Sequence, residues 1–390
     1  MLVRMANVLI VGAGLAGMAC GRYLNAKGVD CLLLEASDSI GGRVRTDSFQ
    51  GFQLDRGFQV LLTAYPEARA VLDYPALHLM PFEPGALIQI HGKRHRLSDP
   101  FRRPSHALSS LFSSVGSFAD KLRVARMRYR AIHVGSSDAT TQRYLEAQGF
   151  SPQFIEQFFR PFFGGIFLER ELRTSSRMAE FVFRMMALGD TSLPRDGMGA
   201  ISRQLADGLN ILLKKRVRSV SANSVTLENG DHLTASAVIL ATDGPTAAGF
   251  ANVPAMASRS VSCLYFAADH PPIEEAILVL NGDGRGPVNN FCVVSAVAKS
   301  YAPPGAALMA ATVLGANPDE AEVREQMASW FGPATRKWRL LRTYRIGHAQ
   351  PEPRAFPPGW HVCGDHLEQA SIDGALVSGR LAAEKVLRTL

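Results

Sequence analysis

Three glycines and one acid near the start of the chain carry its clearest chemistry: Gly12, Gly14 and Gly17 in the run GAGLAG, and Glu35 further on. At this spacing the first glycine permits a tight turn. The second lets a pyrophosphate come against the backbone. The third, helped here by Gly21, lets a helix pack closely on a sheet. A carboxylate about 20 residues further on accepts hydrogen bonds from an adenosine ribose. A second anion-seeking group follows in ASDSIGGRVRT, where Gly41 and Gly42 precede Arg43 and Arg45. Backbone amides without side chains can reach a phosphate, and the arginines add charge. The competing reading of those arginines is a surface salt bridge.

Such residues work only if elements of the right kind hold them. Val8 to Val11 is the apolar run VLIV, which breaks directly into the glycines. A helix-like stretch, MACGRYLNAKG, follows, and then the apolar run CLLL ends at Glu35. Strand, glycine turn, helix, strand and acid make a dinucleotide-binding βαβ unit, with the helix N-terminus facing the negative charge.

Four segments together resemble the flavin-containing amine oxidase, phytoene desaturase and protoporphyrinogen oxidase superfamily: the N-terminal stretch through GGRVRT, then FQLDRGFQV (Phe52 to Val60), RVRSVSANSVTLENGDHLTASAVILAT (Arg216 to Thr242) and WHVCGDHLEQASIDGALVSGRLAAEKVL (Trp360 to Leu387). The resemblance spans the chain and is far more specific for cofactor and architecture than for substrate. It implies FAD, held by Gly12, Gly14, Gly17, Glu35, Ala36, Gly41, Gly42, Arg43, Val217, Gly364, Asp365 and Ile372. It also implies an α/β fold, a Rossmann-like FAD-binding domain interleaved with an α+β substrate domain of mixed sheet plus helices. The cofactor domain is expected over residues 1–75, 195–255 and 341–390, and the substrate domain over 76–194 and 256–340. The glycine–aspartate pair is expected near the ribityl and phosphate groups, and the N-terminus of the last helix near the flavin.

Composition fits that size. The chain has 390 residues, 47% apolar and 20% charged, with a net charge of +7, enough for two domains with substantial cores. No apolar run is long enough to span a membrane. Five cysteines, Cys20, Cys31, Cys263, Cys292 and Cys363, show no paired spacing. They suggest neither a zinc site nor a disulfide framework, and a reducing cytoplasm is the simplest setting. The modest positive charge permits anionic cofactors or membrane surfaces. No basic–aromatic patch points to nucleic acid.

Other stretches set expectations for the rest of the fold. LIQIHGKRHRL, turning at Gly92, predicts a hairpin, which argues against a metal pair at His91 and His95. Residues 100 to 190 read as mostly helical. The runs VSCLYFAA, AILVLNG, VNNFCVVSAV and GAALMAATVLG predict four strands, and Asn317 to Phe331 predicts a helix with Asn317 as N-cap and Pro318 first inside it. Gly149 to Ser176 holds seven phenylalanines; they read either as an apolar tunnel for a long hydrocarbon or as an ordinary helical core. In SFADKLRVARMRYRAI, Phe118, Leu122, Ala125, Tyr129 and Ile132 share one helical stripe amid Lys121, Arg123, Arg126, Arg128 and Arg130. A basic amphipathic helix of this kind can rest on an anionic membrane, although such a stripe more often packs on its own domain.

The expected activity is FAD-dependent removal of a hydride equivalent from an apolar, isoprenoid-like substrate, in the manner of a desaturase. A flavin amine oxidase and a non-catalytic flavin-binding scaffold are the alternatives. Cys363-Gly364-Asp365-His366 stands where amine oxidases of the resembled superfamily carry a glycine–glutamate pair and a nearby aromatic, which weakens the amine reading. Lys299 reads as a surface lysine. No catalytic side chain, electron acceptor or oligomeric state is legible.

Overall fold

The computed structural model describes residues 7–99, 102, 115–133, 138–254 and 256–390. VLIV, CLLL and AVIL form three parallel strands, Val8–Val11, Cys31–Leu34 and Ala237–Leu240, in which every residue is buried. Unbroken apolar runs are what a parallel sheet covered on both faces requires. Asn210–Leu212 and His361–Val362 extend this sheet at its two edges, giving five strands drawn from distant parts of the chain. The helix Leu15–Asn25 packs on the last helix, Ile372–Leu387, through small residues: a Cβ added to Gly379 would stand 2.3 Å from the Ala16 carbonyl oxygen.

A second, mixed sheet has seven strands, in the order Arg339–Pro351, Ser258–Ala268, Ala307–Leu314, Val288–Val293, Leu278–Asn281, Gly85–Ile90 and Lys93–Ser98. All neighbours run antiparallel except the pair Leu278–Asn281 and Gly85–Ile90. Phe266, Phe291, Trp330 and Trp338 anchor a core on one of its faces. The mixed α/β architecture with parallel and antiparallel sheets agrees with the sequence expectation. Hydrogen bonding along Arg339–Pro351 places that whole strand in the seven-stranded sheet, so the chain returns to the parallel sheet only after Pro351.

The four predicted strands between 261 and 315 form, but the end of VNNFCVVSAV leaves the sheet as a short helical turn, Val294–Val297. The predicted cap at Asn317 is corrected. The helix runs over Glu320–Phe331, and Asp319 caps it by accepting from the Ala321 and Glu322 amides at 2.8 and 3.3 Å. A carboxylate that reaches two orphan amides, with Glu320 and Glu322 in the first turn, outcompetes the Asn-Pro start. The predicted hairpin forms, with its turn at His91 and Gly92.

Candidate functional site

The glycine turn is shaped by contacts on one side and open space on the other. Gly12 has φ +114°, and a Cβ there would lie 2.5 Å from the Ala241 carbonyl oxygen. At Gly17 a Cβ would lie 2.2 Å from the Gly12 carbonyl oxygen. Gly14 differs: a Cβ there meets nothing within 4 Å, and no side chain at this position caps the helix it starts. Uncapped first-turn amides beside open space are a ready anion site. The double glycine closes over this turn. Gly41 donates its amide to the Ala13 carbonyl at 2.8 Å, and a Cβ on Gly42 would touch the Gly14 Cα at 3.4 Å.

Glu35 sits at the end of its strand with the carboxylate fixed from two sides. Oε2 accepts from the Ala13 amide at 2.9 Å, and Oε1 accepts from the Ser37 amide at 2.8 Å. Each oxygen keeps a lone pair for a further donor. The two arginines of the GGRVR run divide. Arg45 pairs with Asp38 at 3.1 Å, the salt-bridge reading. Arg43 ties the N-terminal loop to the C-terminal motif, donating to Asp365 Oδ1 at 2.5 Å and to the Ala349 carbonyl at 2.7 Å.

Gly364 and Asp365 follow the edge strand His361–Val362. The Gly364 amide donates to Ser378 Oγ at 2.9 Å, and a Cβ on Gly364 would strike the His366 ring at 2.3 Å. His366 is fully buried, and burial pushes its pKa down. Ser371 caps the last helix by accepting from the Gly374 amide. Asp373, in its first turn, accepts instead from the Glu67 and Ala68 amides at 2.9 and 3.1 Å, capping the helix Pro66–Val71.

One cavity of about 1030 Å³ joins these pieces. Its walls include Gly12, Gly14, Glu35, Ala36, Gly41 and Gly42 from the N-terminal region, and Arg43, Val217, Gly364, Asp365 and Ile372 from loops that converge on it. Of the predicted cofactor residues only Gly17 stands behind the wall, where it packs the turn. The cavity continues past Tyr65 and Val60 into a chamber walled by Phe158, Phe162, Met178, Val182, Phe183 and Met186.

The phenylalanine segment serves both expected roles, by helical spacing. Phe154, Phe158 and Phe162 wall the cavity. Phe159, Phe163 and Phe167 are fully buried on the other side, stacked at 5.7 and 5.2 Å between ring centroids. A π-helical turn, Ile155–Phe159, precedes Pro161 and resets the register between the two faces. The chamber also carries residues that sequence reading did not single out: Gln59, Gln350, Asn290 and Thr312. Gln59 and Gln350 lie inside stretches already quoted for the resemblance or close to them, yet nothing in residue type or spacing marked them. Lys299 is exposed and lies outside the cavity wall.

The amphipathic helix, Phe118–His133, departs from the packing expected of it. Met127, Ala131 and Asp120 face inward, while Phe118, Leu122 and Tyr129 are 65%, 63% and 64% exposed. Ala125 and Ile132 of the predicted stripe are half-buried, and Asp120, which accepts from the Ser117 and Ser151 amides at 3.0 and 2.9 Å, ties the start of the helix down on its other face. Phe118, Lys121, Leu122, Val124, Ala125 and Arg128 also line the cavity. Among the described residues no helix is long and apolar enough to cross a membrane.

The glycine turn, with open space beside Gly14, lines the same cavity as the apolar side chains of the phenylalanine segment. A family model described as flavin containing amine oxidoreductase matches residues 15–387, and the chain belongs to that family. Similar curated proteins include lysine-specific histone demethylase 2 of Homo sapiens, 29% identical over 248 residues, covering 60% of this chain and 29% of that protein. Another is protoporphyrinogen oxidase 2, chloroplastic/mitochondrial, of Arabidopsis thaliana, 24% identical over 165 residues, covering 41% of this chain and 32% of that protein. The chain thus spans about a third or less of the length of these relatives. Among solved structures, a putative protoporphyrinogen oxidase from Exiguobacterium sp. 255-15 superposes with a TM-score of 0.75 at 16% identity, covering 99% of this chain and 100% of that one.

Proposed function

We propose that the protein binds FAD and removes a hydride equivalent from a C–H bond of an apolar substrate, in the manner of a desaturase. The observation that carries this reading is the single cavity that runs from the glycine turn into a chamber of phenylalanine, methionine and valine side chains. The residues fit the group. Gly14 leaves room for a pyrophosphate, Glu35 has free acceptor capacity for a ribose, and the start of the last helix lines the cavity wall at Ile372. When bound, a flavin supplies the two-electron chemistry. The chain supplies orientation and dryness: apolar walls hold the substrate, and the Arg43–Asp365 pair closes the wall between the N-terminal and C-terminal motifs.

The exposed Phe118, Leu122 and Tyr129 of the Phe118–His133 helix, two of which also line the cavity, support a peripheral contact with an anionic membrane. Five free buried thiols support a reducing, cytoplasmic setting. Anaerobic titration of the yellow holoprotein tests the activity. Apolar polyene precursors are expected to bleach the flavin absorbance, while polyamines and aromatic amines leave it unchanged. Bleaching by amines alone, with peroxide on readmitting air, would replace this reading by amine oxidation.

A further inference from the structure

A second hollow, a groove of about 660 Å³, borders the C-terminal motif. Val362 and Leu367 line it, whereas Gly364 and Asp365 between them line the large cavity, so one short segment borders both. Its other wall is the strap PRAFPP, residues 353–358. Three prolines restrict the strap backbone. The Arg354 amide donates to the His366 carbonyl at 2.8 Å, the Phe356 ring lies 5.5 Å from the His366 ring, and the Arg354 guanidinium donates to the Pro254 carbonyl at 2.7 Å. The wall is thus built before any ligand arrives, which lowers the ordering cost of binding. Phe356 and Trp360 are both half-buried, so part of each ring is left for an occupant. Two cations, Arg354 and Lys385, also line the groove, and among the described residues that line it there is no carboxylate. The Lys385 ammonium donates to the Trp360 carbonyl at 3.5 Å, a long contact, and joins no ion pair among the described residues. Glu384, its neighbour in the helix, is taken by Arg380 at 2.9 Å. The charge of Lys385 is felt by His361, whose pKa is pushed down by burial and then by that charge.

We propose that this groove binds an anion, a carboxylate or a phosphate, carried on a flat aromatic body. The body stacks on Phe356 and Trp360, and the anion meets Lys385 and Arg354. A cationic ligand would meet like charge from both, and a neutral one would gain nothing from either. The volume suits a small molecule rather than a folded partner. The site goes beyond the proposed activity. It lies outside the cavity that carries that reading and stands whether or not that reading holds.

Isothermal titration calorimetry of the protein as purified tests this with 2-naphthoate, 2-naphthyl phosphate and the neutral 2-naphthamide, which share one ring body. At least one anion is expected to bind about tenfold more tightly than the amide, and the tighter of the two anions tells carboxylate from phosphate. Lys385→Glu, at an exposed position, is expected to bring that preference to parity. Phe356→Leu is expected to weaken all three probes about fivefold. Parity between anions and amide in the native protein overturns the proposal, as does the lack of measurable binding by any probe. A preference that Lys385→Glu leaves unchanged also overturns it, because the anion is then held elsewhere, in the large cavity for instance. Unchanged affinities in Phe356→Leu overturn it by removing the stacked body. Lys385 packs against no core, so its variant is read even if Phe356→Leu fails to fold. None of these readouts depends on flavin reduction, so failure here is distinguishable from failure of the proposed activity.

Discussion

At Gly14 a side chain would point into open cavity, whereas at Gly17 it would run into the Gly12 carbonyl 2.2 Å away. The same substitution type therefore separates two roles. Gly14→Val is expected to fold with a thermal midpoint close to native and to purify without flavin, because its methyls occupy the phosphate approach. Gly17→Ala is expected to lower the midpoint first, since helix and turn must separate. Absorbance at the flavin band beside a thermal melt reads both, and a yellow Gly14→Val protein would refute the phosphate assignment. The glycine pattern was legible in the sequence because a glycine requirement is a backbone property carried by local sequence. The commitments of Arg43 and Arg45 were not legible. Both follow glycines in an anion-seeking pattern, and only the fold brings Asp365 to one while Asp38 takes the other.

The strand Phe52–Asp55 ends in a buried carboxylate that ties three segments together. Asp55 accepts from Thr46 Oγ1 at 2.5 Å, from Tyr301 Oη at 2.8 Å and from the Met198 amide at 3.0 Å. Burial lifts its pKa to about 6, against the pull of those three donors. The folded protein thus keeps a proton that the unfolded chain has released. Stability from that proton is complete below about pH 4, the unfolded value, and is lost as pH rises through about 6. A shift of about two units corresponds to ~3 kcal/mol. Asp55→Asn, which cannot titrate, is expected to lack this loss. Denaturant unfolding of both proteins from pH 4 to 7 should show native stability declining relative to the variant, and parallel curves would rule the linkage out. Periodicity revealed that this segment is a strand. It could not reveal that its last residue reaches Tyr301, which lies 246 residues away.

Across the molecule, one cavity takes in both the glycine turn and the helix Phe118–His133, whose Phe118 and Leu122 are exposed. Exposed apolar side chains beside the exposed Arg126 match an anionic, apolar surface. Native protein is expected to sediment with phosphatidylglycerol vesicles and much less with phosphatidylcholine vesicles. The double variant Phe118→Asp, Leu122→Asp is expected to stay in the supernatant with its flavin intact. Equal sedimentation of native protein and variant would exclude this helix as the contact.

The amino-acid sequence by itself determined the parallel-sheet strands, the glycine turn, the acid at the end of the second strand, the hairpin at Gly92 and the last helix at Ile372–Leu387. Each of these depends on residues adjacent in the chain, through period, turn chemistry or an unbroken apolar run. Only the tertiary structure decided which face of the Phe118–His133 helix meets solvent, how the phenylalanines divide between core and cavity wall, and which amide oxygens of Gln59 and Gln350 are left without donors. Those outcomes depend on partners far away in sequence. A helical stripe or an amide has no inward or outward side until the rest of the chain packs against it.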